Sequence, residues 1–168
     1  MSIRLPLVIA VMGACGGTSS SGWSDFYGIQ YQAPAGTTAQ VTDSVLPGPG
    51  GEGGSPTGER PDVVLILPGA HGFRVQIVKP SEPVSLDGMK YVLVGNKVGS
   101  NHVGTATKTG WELTYDVRSE ESSSTSKAHI IYADIAGGHY QCEYDEASTG
   151  DAAVAEAICR SIRPKAGK

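Results

Sequence analysis

The sequence predicts a single α+β domain, mainly an antiparallel sheet covered by one or two helices, one of them C-terminal. Three observations carry this. Trp111, Leu113, Tyr115 and Val117 alternate with Glu112, Thr114, Asp116 and Arg118, the period of a half-buried strand whose odd positions face the core. Residues 127–136 and 139–144 flank Gly137-Gly138, a pair suited to the positive φ angles of a tight hairpin turn. Val154, Ala157, Ile158 and Ile162 recur at helical spacing, with Arg160 and Arg163 at the negative end of the helix dipole and Pro164 as the stop.

Before any of this stands an export signal. Arg4 supplies a positive start, residues 5–11 an apolar run, and Met12-Gly13-Ala14-Cys15 a small-residue cleavage site ending in cysteine. An apolar run of about ten residues falls short of the roughly 20 that a membrane-crossing helix needs, so a transmembrane anchor is the poorer reading. The layout resembles a bacterial lipoprotein signal, with Gly13, Ala14 and Cys15 matching the lipobox and Met12 where the pattern prefers Leu. That resemblance implies that residues 1–14 are removed, that Cys15 is linked to diacylglycerol, and that its new amino group is often acylated. The lipid bilayer is then a partner through acylated Cys15, and two or more chains make such anchoring stable. Gly16 stands where inner-membrane retention signals carry Asp, which favours the outer membrane of the cell envelope. An ordinary secretory signal cleaved nearby, or a start placed too early, are the alternatives.

Residues 15–22 form a Gly/Ser tether whose flexible part reaches about 15 Å, holding the domain near the membrane. Residues 26–32 open with aromatics and read as a strand. Residues 47–61, rich in Gly and Pro, have too little apolar content to order themselves and read as a flexible loop inside a domain spanning 23–164. Residues 62–67 form a continuous apolar run of strand length, and Phe73, Val75 and Ile77 alternate with polar neighbours up to Pro80. Residues 85–96 stay ambiguous: Leu86, Met89 and Leu93 have helical spacing, whereas Gly88 and the run Tyr91-Val92-Leu93-Val94 favour a strand.

With Gly137-Gly138 as the turn, Ala136 pairs with His139, Ile135 with Tyr140, Ala133 with Cys142 and Ile131 with Tyr144. All the apolar residues then share one face. The pattern places Trp111, Leu113, Tyr115, Ile131, Tyr140 and Tyr144 in one core with Val154 and Ile158. Ser148 and Asp151 have capping-box spacing for the last helix, and residues 165–168 form a tail.

The chain has 168 residues and a formal net charge of −4; without residues 1–14 it keeps 154 residues and, Arg4 being lost, a charge of −5. This suffices for one domain with a core. No basic run with interleaved aromatics exists, and an acidic chain repels a nucleic-acid backbone, so nucleic acid is not a partner. Of the three cysteines, Cys15 belongs to the lipobox, and Cys142 and Cys159 remain as a pair bound for an oxidising compartment. They read as a structural disulfide that staples the last helix to the sheet; two buried thiols or a partial metal site are the competing readings.

Residues 65–72 superficially resemble the strand and oxyanion loop of an α/β-hydrolase, yet no Gly-x-Ser-x-Gly elbow accompanies them. Gly69 and Gly72 then shape a turn between strands. His71, His102, His129 and His139 lack metal-ligand spacing, and no cofactor fingerprint appears. His129, opposite Glu146 and near Asp145, reads as a cross-strand polar pair. The acidic cluster Glu143, Asp145 and Glu146 reads as a solvated face.

The order of residues 73–164 is a strand, a Ser85-Leu86-Asp87 helix start, a short strand, the Gly110-Trp111-x-Leu113-x-Tyr115 strand, a hairpin ending Tyr140-x-Cys142, and a helix carrying Ala157-x-Cys159-x-Ser161-Ile162. This is similar to small bacterial lipoproteins of unknown function with a PsbP-like α/β/α sandwich. The 47–61 insertion departs from that pattern. The resemblance implies binding or scaffolding, with an envelope protein as partner, rather than catalysis, and carries over no catalytic, cofactor or metal residues. An enzyme with an unrecognised site, or a purely structural surface protein, are the alternatives.

Overall fold

The computed structural model describes residues 22–45, 59–69, 74–118 and 124–166. The signal at 1–14, Cys15, most of the tether and of the 47–61 loop, His71 and Phe73 lie outside the described residues. In chain order the elements are β1 (Trp23–Phe26), β2 (Ile29–Gln32), β3 (Thr38–Val45), β4 (Glu59–Ile66), β5 (Val75–Val78), α1 (Leu86–Gly95), β6 (Ser100–Ala106) and β7 (Gly110–Arg118). After them come β8 (Thr125–Ile135), β9 (Gly138–Asp145), α2 (Glu146–Thr149), α3 (Ala152–Ser161) and β10 (Arg163–Pro164). A seven-stranded antiparallel sheet has the order β3-β4-β5-β9-β8-β7-β6, and a small sheet has the order β1-β2-β10.

The expected strand over 26–32 is instead a hairpin. Tyr27 and Gly28 both take positive φ, 42° and 98°, the backbone of a two-residue turn, and split the segment into β1 and β2. The expected 47–61 loop ends early, because Glu59 to Pro61 already pair with β3.

The long hairpin keeps its two-residue loop but moves it one residue towards the N-terminus. Ala136 and Gly137 form the turn, at φ 51° and 78°, and Ile135 pairs with Gly138. Hence Ile131 lies opposite Cys142, Ala133 opposite Tyr140 and His129 opposite Tyr144, a slip of two from the expected register. The even slip preserves which residues share a face. Gly138 is needed in the strand itself: a Cβ there would stand 3.0 Å from the Tyr140 ring. The observed register also sets Asp134 beside His139, whose Nδ1 lies 2.7 Å from Asp134 Oδ1, offsetting the cost of Ala136 in the left-handed region.

The single core expected from the pattern is two cores on opposite faces of the large sheet. Trp111, Leu113 and Tyr115 pair with Tyr132, Ile130 and Ala128, and this set packs under Leu93 of α1. Tyr140, Cys142 and Tyr144, with Val75, Ile77, Val63 and Leu65, face the other way, against Phe26, Ile29 and Tyr31 of the small sheet and Ala155 and Ile158 of α3. Ile131 and Val154 join this second set. The error arose at β8, which carries apolar residues on both faces, so alternation in β7 could not say which of them Trp111 joins.

Residues 85–96 resolve as helix. The Ser85 hydroxyl caps it, accepting from Gly88 N–H at 3.0 Å, and Leu86, Met89 and Leu93 dock on the Trp111 core. Upstream, Trp111 Nε1 donates to Val84 O at 2.7 Å and Val84 N–H donates to Tyr132 Oη at 3.3 Å. Burial of the Leu86/Met89/Leu93 stripe outweighs the β-propensity of the Tyr91–Val94 run.

The C-terminal helix starts at Asp151, whose side chain accepts from Val154 N–H at 3.1 Å; Ser148 lies inside α2, which Gly150 ends at φ 72°. Ala155, Ile158 and Cys159 are buried, whereas Ala157, expected on the stripe, is exposed. Cys142 and Cys159 are joined, with Cα atoms 5.5 Å apart.

Two outcomes follow for stability. Leu113→Ala should lower the unfolding free energy by about 2 to 5 kcal/mol in urea titration, because the leucine is fully buried under α1. The double variant Cys142→Ala/Cys159→Ala should lose roughly 3 kcal/mol, the loop-closure contribution of the bond; a chain as stable as the wild type would show that the bond constrains nothing.

Candidate functional site

The chemistry-bearing residues gather where α3 ends on the large sheet. Ile77, Cys142, Ile131 and Glu112 form one row across β5, β9, β8 and β7. Over this row Cys159 bonds Cys142, and its neighbour Arg160 reaches past Ile131 to Glu112. The contact is bidentate, Nη1 to Oε1 at 2.8 Å and Nη2 to Oε2 at 3.1 Å, while Arg160 Nε donates to Glu156 Oε1 at 2.7 Å. Two parallel N–H···O bonds fix the guanidinium in plane and in register. The hydrogen bond from Arg160 holds the Glu112 carboxyl below the usual carboxylate range, and Glu112 and Glu156 hold the guanidinium charged.

One row further along, Thr114 Oγ1 lies 3.2 Å from His129 Nδ1, and His129 Nε2 lies 2.7 Å from Glu146 Oε1. The His129 ring stacks on Tyr144 with centroids 4.6 Å apart. The expected His129–Glu146 contact is therefore present, reached through the start of α2 rather than by direct strand pairing. Asp145 turns instead to the cap of α2, accepting from Ala147 N–H at 2.8 Å and from Ser126 Oγ at 2.9 Å. The hydroxyl–imidazole–carboxylate line has the composition of an activated nucleophile, but Thr114 sits inside β7 with β6 and β8 hydrogen-bonded on either side. Its local N–H groups are committed to the ladders and leave none for an oxyanion. The line secures α2 to the sheet.

Beyond Arg160 no described residue covers the sheet face. An open groove of about 530 Å³ runs there over Ile131, Ala133 and Ile135, between Ile162, Arg163 and Pro164 on one side and Thr107 and Thr109 on the other. Tyr140 closes its inner end, donating from Oη to Tyr27 O at 2.8 Å. Of the charges at the rim, Glu112 and Arg160 bond each other, Asp134 contacts His139, and Arg163 lies over the Trp23 ring, 3.5 Å from guanidinium carbon to centroid. Pro164 matters here. Lys165 N–H bonds back to Gly28 O, in the turn before β2, at 3.0 Å, and Pro164 pairs with Ile29, so the outward donor position of β10 falls on a residue without an N–H.

Of the other histidines, His102 stacks on Tyr115 with centroids 5.3 Å apart, and His139 joins Asp134 and Tyr132 at the hairpin tip. Among the described residues no group of three or more His, Cys, Asp or Glu is gathered as a metal site, and no helix is long and apolar enough to cross a membrane. Sequence reasoning missed the Glu112–Arg160 clamp and the groove, because both appear only once the register of β7, β8 and β9 is known. No protein-family model matches the chain, and no curated protein matches it.

Burial, followed by the nearby Glu156 carboxylate, pushes the Tyr144 phenol up to about 12. The folded state therefore holds this proton more tightly than the unfolded chain, whose tyrosines ionise near 10. Stability from Tyr144 is complete below about pH 10 and falls as pH rises towards 12. In alkaline titration Tyr144→Phe should remove a phenol that ionises late and flatten this decline; an unchanged slope would contradict the assignment.

Proposed function

We propose that this chain is an exported lipoprotein, anchored in the outer membrane through Cys15, whose domain is a non-catalytic module that binds an envelope protein. The Met12-to-Cys15 lipobox and Gly16 support the anchor and its sorting. A helix on each face of an antiparallel sheet supports a PsbP-like sandwich.

The groove beside Arg160 carries the binding reading. Its floor is apolar, its volume is that of a ligand site, and Glu112 and Arg160 at its rim are paired with each other. The occupant that fits is an apolar segment of a partner polypeptide, laid over Ile131, Ala133 and Ile135. The Glu112–Arg160 pair bounds it on one side.

Two measurements test the two halves separately. Cys15→Ser should abolish incorporation of labelled fatty acid; a variant that still takes up the label would contradict the anchor. Ala133→Trp should fill the groove, leaving the circular dichroism spectrum unchanged, and remove the partner recovered with the detergent-solubilised wild type. The exposed Thr42→Trp, on the distant β3 edge, should keep that partner. Equal recovery with both variants would contradict the groove.

A further inference from the structure

The two edges of the large sheet are finished differently. β6 is blunted: its register with β7 shifts between Ser100 and Val103, and Asn101 stands at φ 53°. A bulge of this kind turns an edge away from a further strand. β3 carries no such device. It pairs with β4 residue by residue from Thr38 opposite Ile66 to Val45 opposite Glu59 without a shift, and its sequence TAQVTDSV holds no Pro, Lys or Arg. Among the described residues no strand lies on its other side. The side chains of Thr38, Ala39, Gln40, Val41 and Thr42 are all exposed, so neither α1 nor the small sheet overhangs this edge.

One hydrogen bond fixes which way the β3 main chain points. Lys79 N–H donates to Pro61 O at 3.0 Å, in line with the pairing of Asp62 and Val78, so Pro61 turns its main-chain groups towards β5 and Asp62 turns its own towards β3. Successive residues of an antiparallel strand bond to opposite neighbours. Asp62 lies opposite Thr42, hence Thr38, Gln40 and Thr42 bond to β4, while Ala39, Val41 and Asp43 present N–H and C=O outward. Such a row of alternating donors and acceptors is completed by an extended backbone.

We infer that this backbone is β3 of a second copy, paired antiparallel about a two-fold axis at Val41. Symmetry leaves few registers. An axis between two residues would set outward groups against inward ones and make no bonds, so the axis passes through a residue. At Asp43 it would set like charges opposite each other, and at Thr42 it would set Val41 opposite Asp43 of the second copy. At Val41 it sets the two copies of Val41 together and Gln40 opposite Thr42, a pair whose side chains can both donate and accept. Val41 is 55% exposed, and this register alone covers it with its own kind. The outward pairs Val41 with Val41 and Ala39 with Asp43 then exchange their main-chain bonds, so the edge is self-complementary, as an isologous contact requires. Because β3 leaves both of its faces open, a folded body can approach it as readily as a single strand. A contact one strand wide is below the size of a stable interface, so the dimer is reversible.

Cysteine cross-linking of the full chain tests this. In a Cys15→Ser background, with Cys142 and Cys159 bonded to each other, an introduced cysteine is the one free thiol. Val41→Cys should give a covalent dimer with a short bismaleimide, while Val103→Cys, exposed on the β6 edge, should not. Ala39→Cys should react poorly, since the two copies of Ala39 stand about 14 Å apart in this register. Adding Ala39→Pro, which removes an outward N–H and spares those bonded to β4, should slow cross-linking through Val41→Cys at least tenfold, whereas adding Ala39→Val should leave it unchanged. Circular dichroism checks that each variant keeps the sheet. Equal cross-linking at positions 39, 41 and 103, none at 41 at millimolar protein, indifference to Ala39→Pro in a folded chain, or capture at 41 of a chain of another mass in place of a second copy would overturn the inference.

Discussion

The arrangement of the described residues turns on the need to cover both faces of β8. Ile130 and Tyr132 point to one side of the large sheet, while Ile131, Cys142 and Tyr144 point to the other. A central antiparallel strand with apolar residues on both faces cannot leave either to water. One face takes α1, held by the Ser85 cap and by the Trp111–Val84–Tyr132 hydrogen bonds. The other takes α3 and the small sheet. The domain is thus a layer with two separate cores, and its surface features are whatever these covers fail to reach.

The covers are fastened differently. On the α3 side the Cys142–Cys159 bond and the Glu112–Arg160 fork act on adjacent helix residues and on one row of the sheet, so the helix end is fixed in both position and rotation. This rigid edge bounds the groove and leaves Ile131, Ala133 and Ile135 as its floor. On the α1 side the helix is short, rests on a narrow stripe and turns Tyr91 and Val92 outward. A polar layer completes the sheet beyond α1, where Gln76 Nε2 donates to Asp62 Oδ2 at 2.8 Å and Gln141 is buried.

Much of this organisation was legible in the residues, and the failures have a common cause. The Trp111 strand, the two-residue hairpin loop, the final helix and the cysteine pairing followed from period, turn chemistry and count. What local pattern could not supply was the facing of β8, because both of its faces are apolar. Hence one core was expected where two exist. The turn was displaced for a related reason: Gly137-Gly138 looks like a turn pair, but Gly138 serves the Tyr140 ring, a contact invisible before the strands are paired. The candidate groove was the least legible part, since its walls come from residues about 55 positions apart that meet only in the folded sheet.

Hydrogen exchange, compared between the native chain and the Cys142→Ala/Cys159→Ala variant, tests the two-core account most directly. If the sheet separates two cores, amides of α3, β1 and β2 should lose protection in the variant, while those of α1, β6 and β7 keep theirs. Equal loss of protection in α1 and α3 would mean that the two faces share one cooperative core, and would contradict the account.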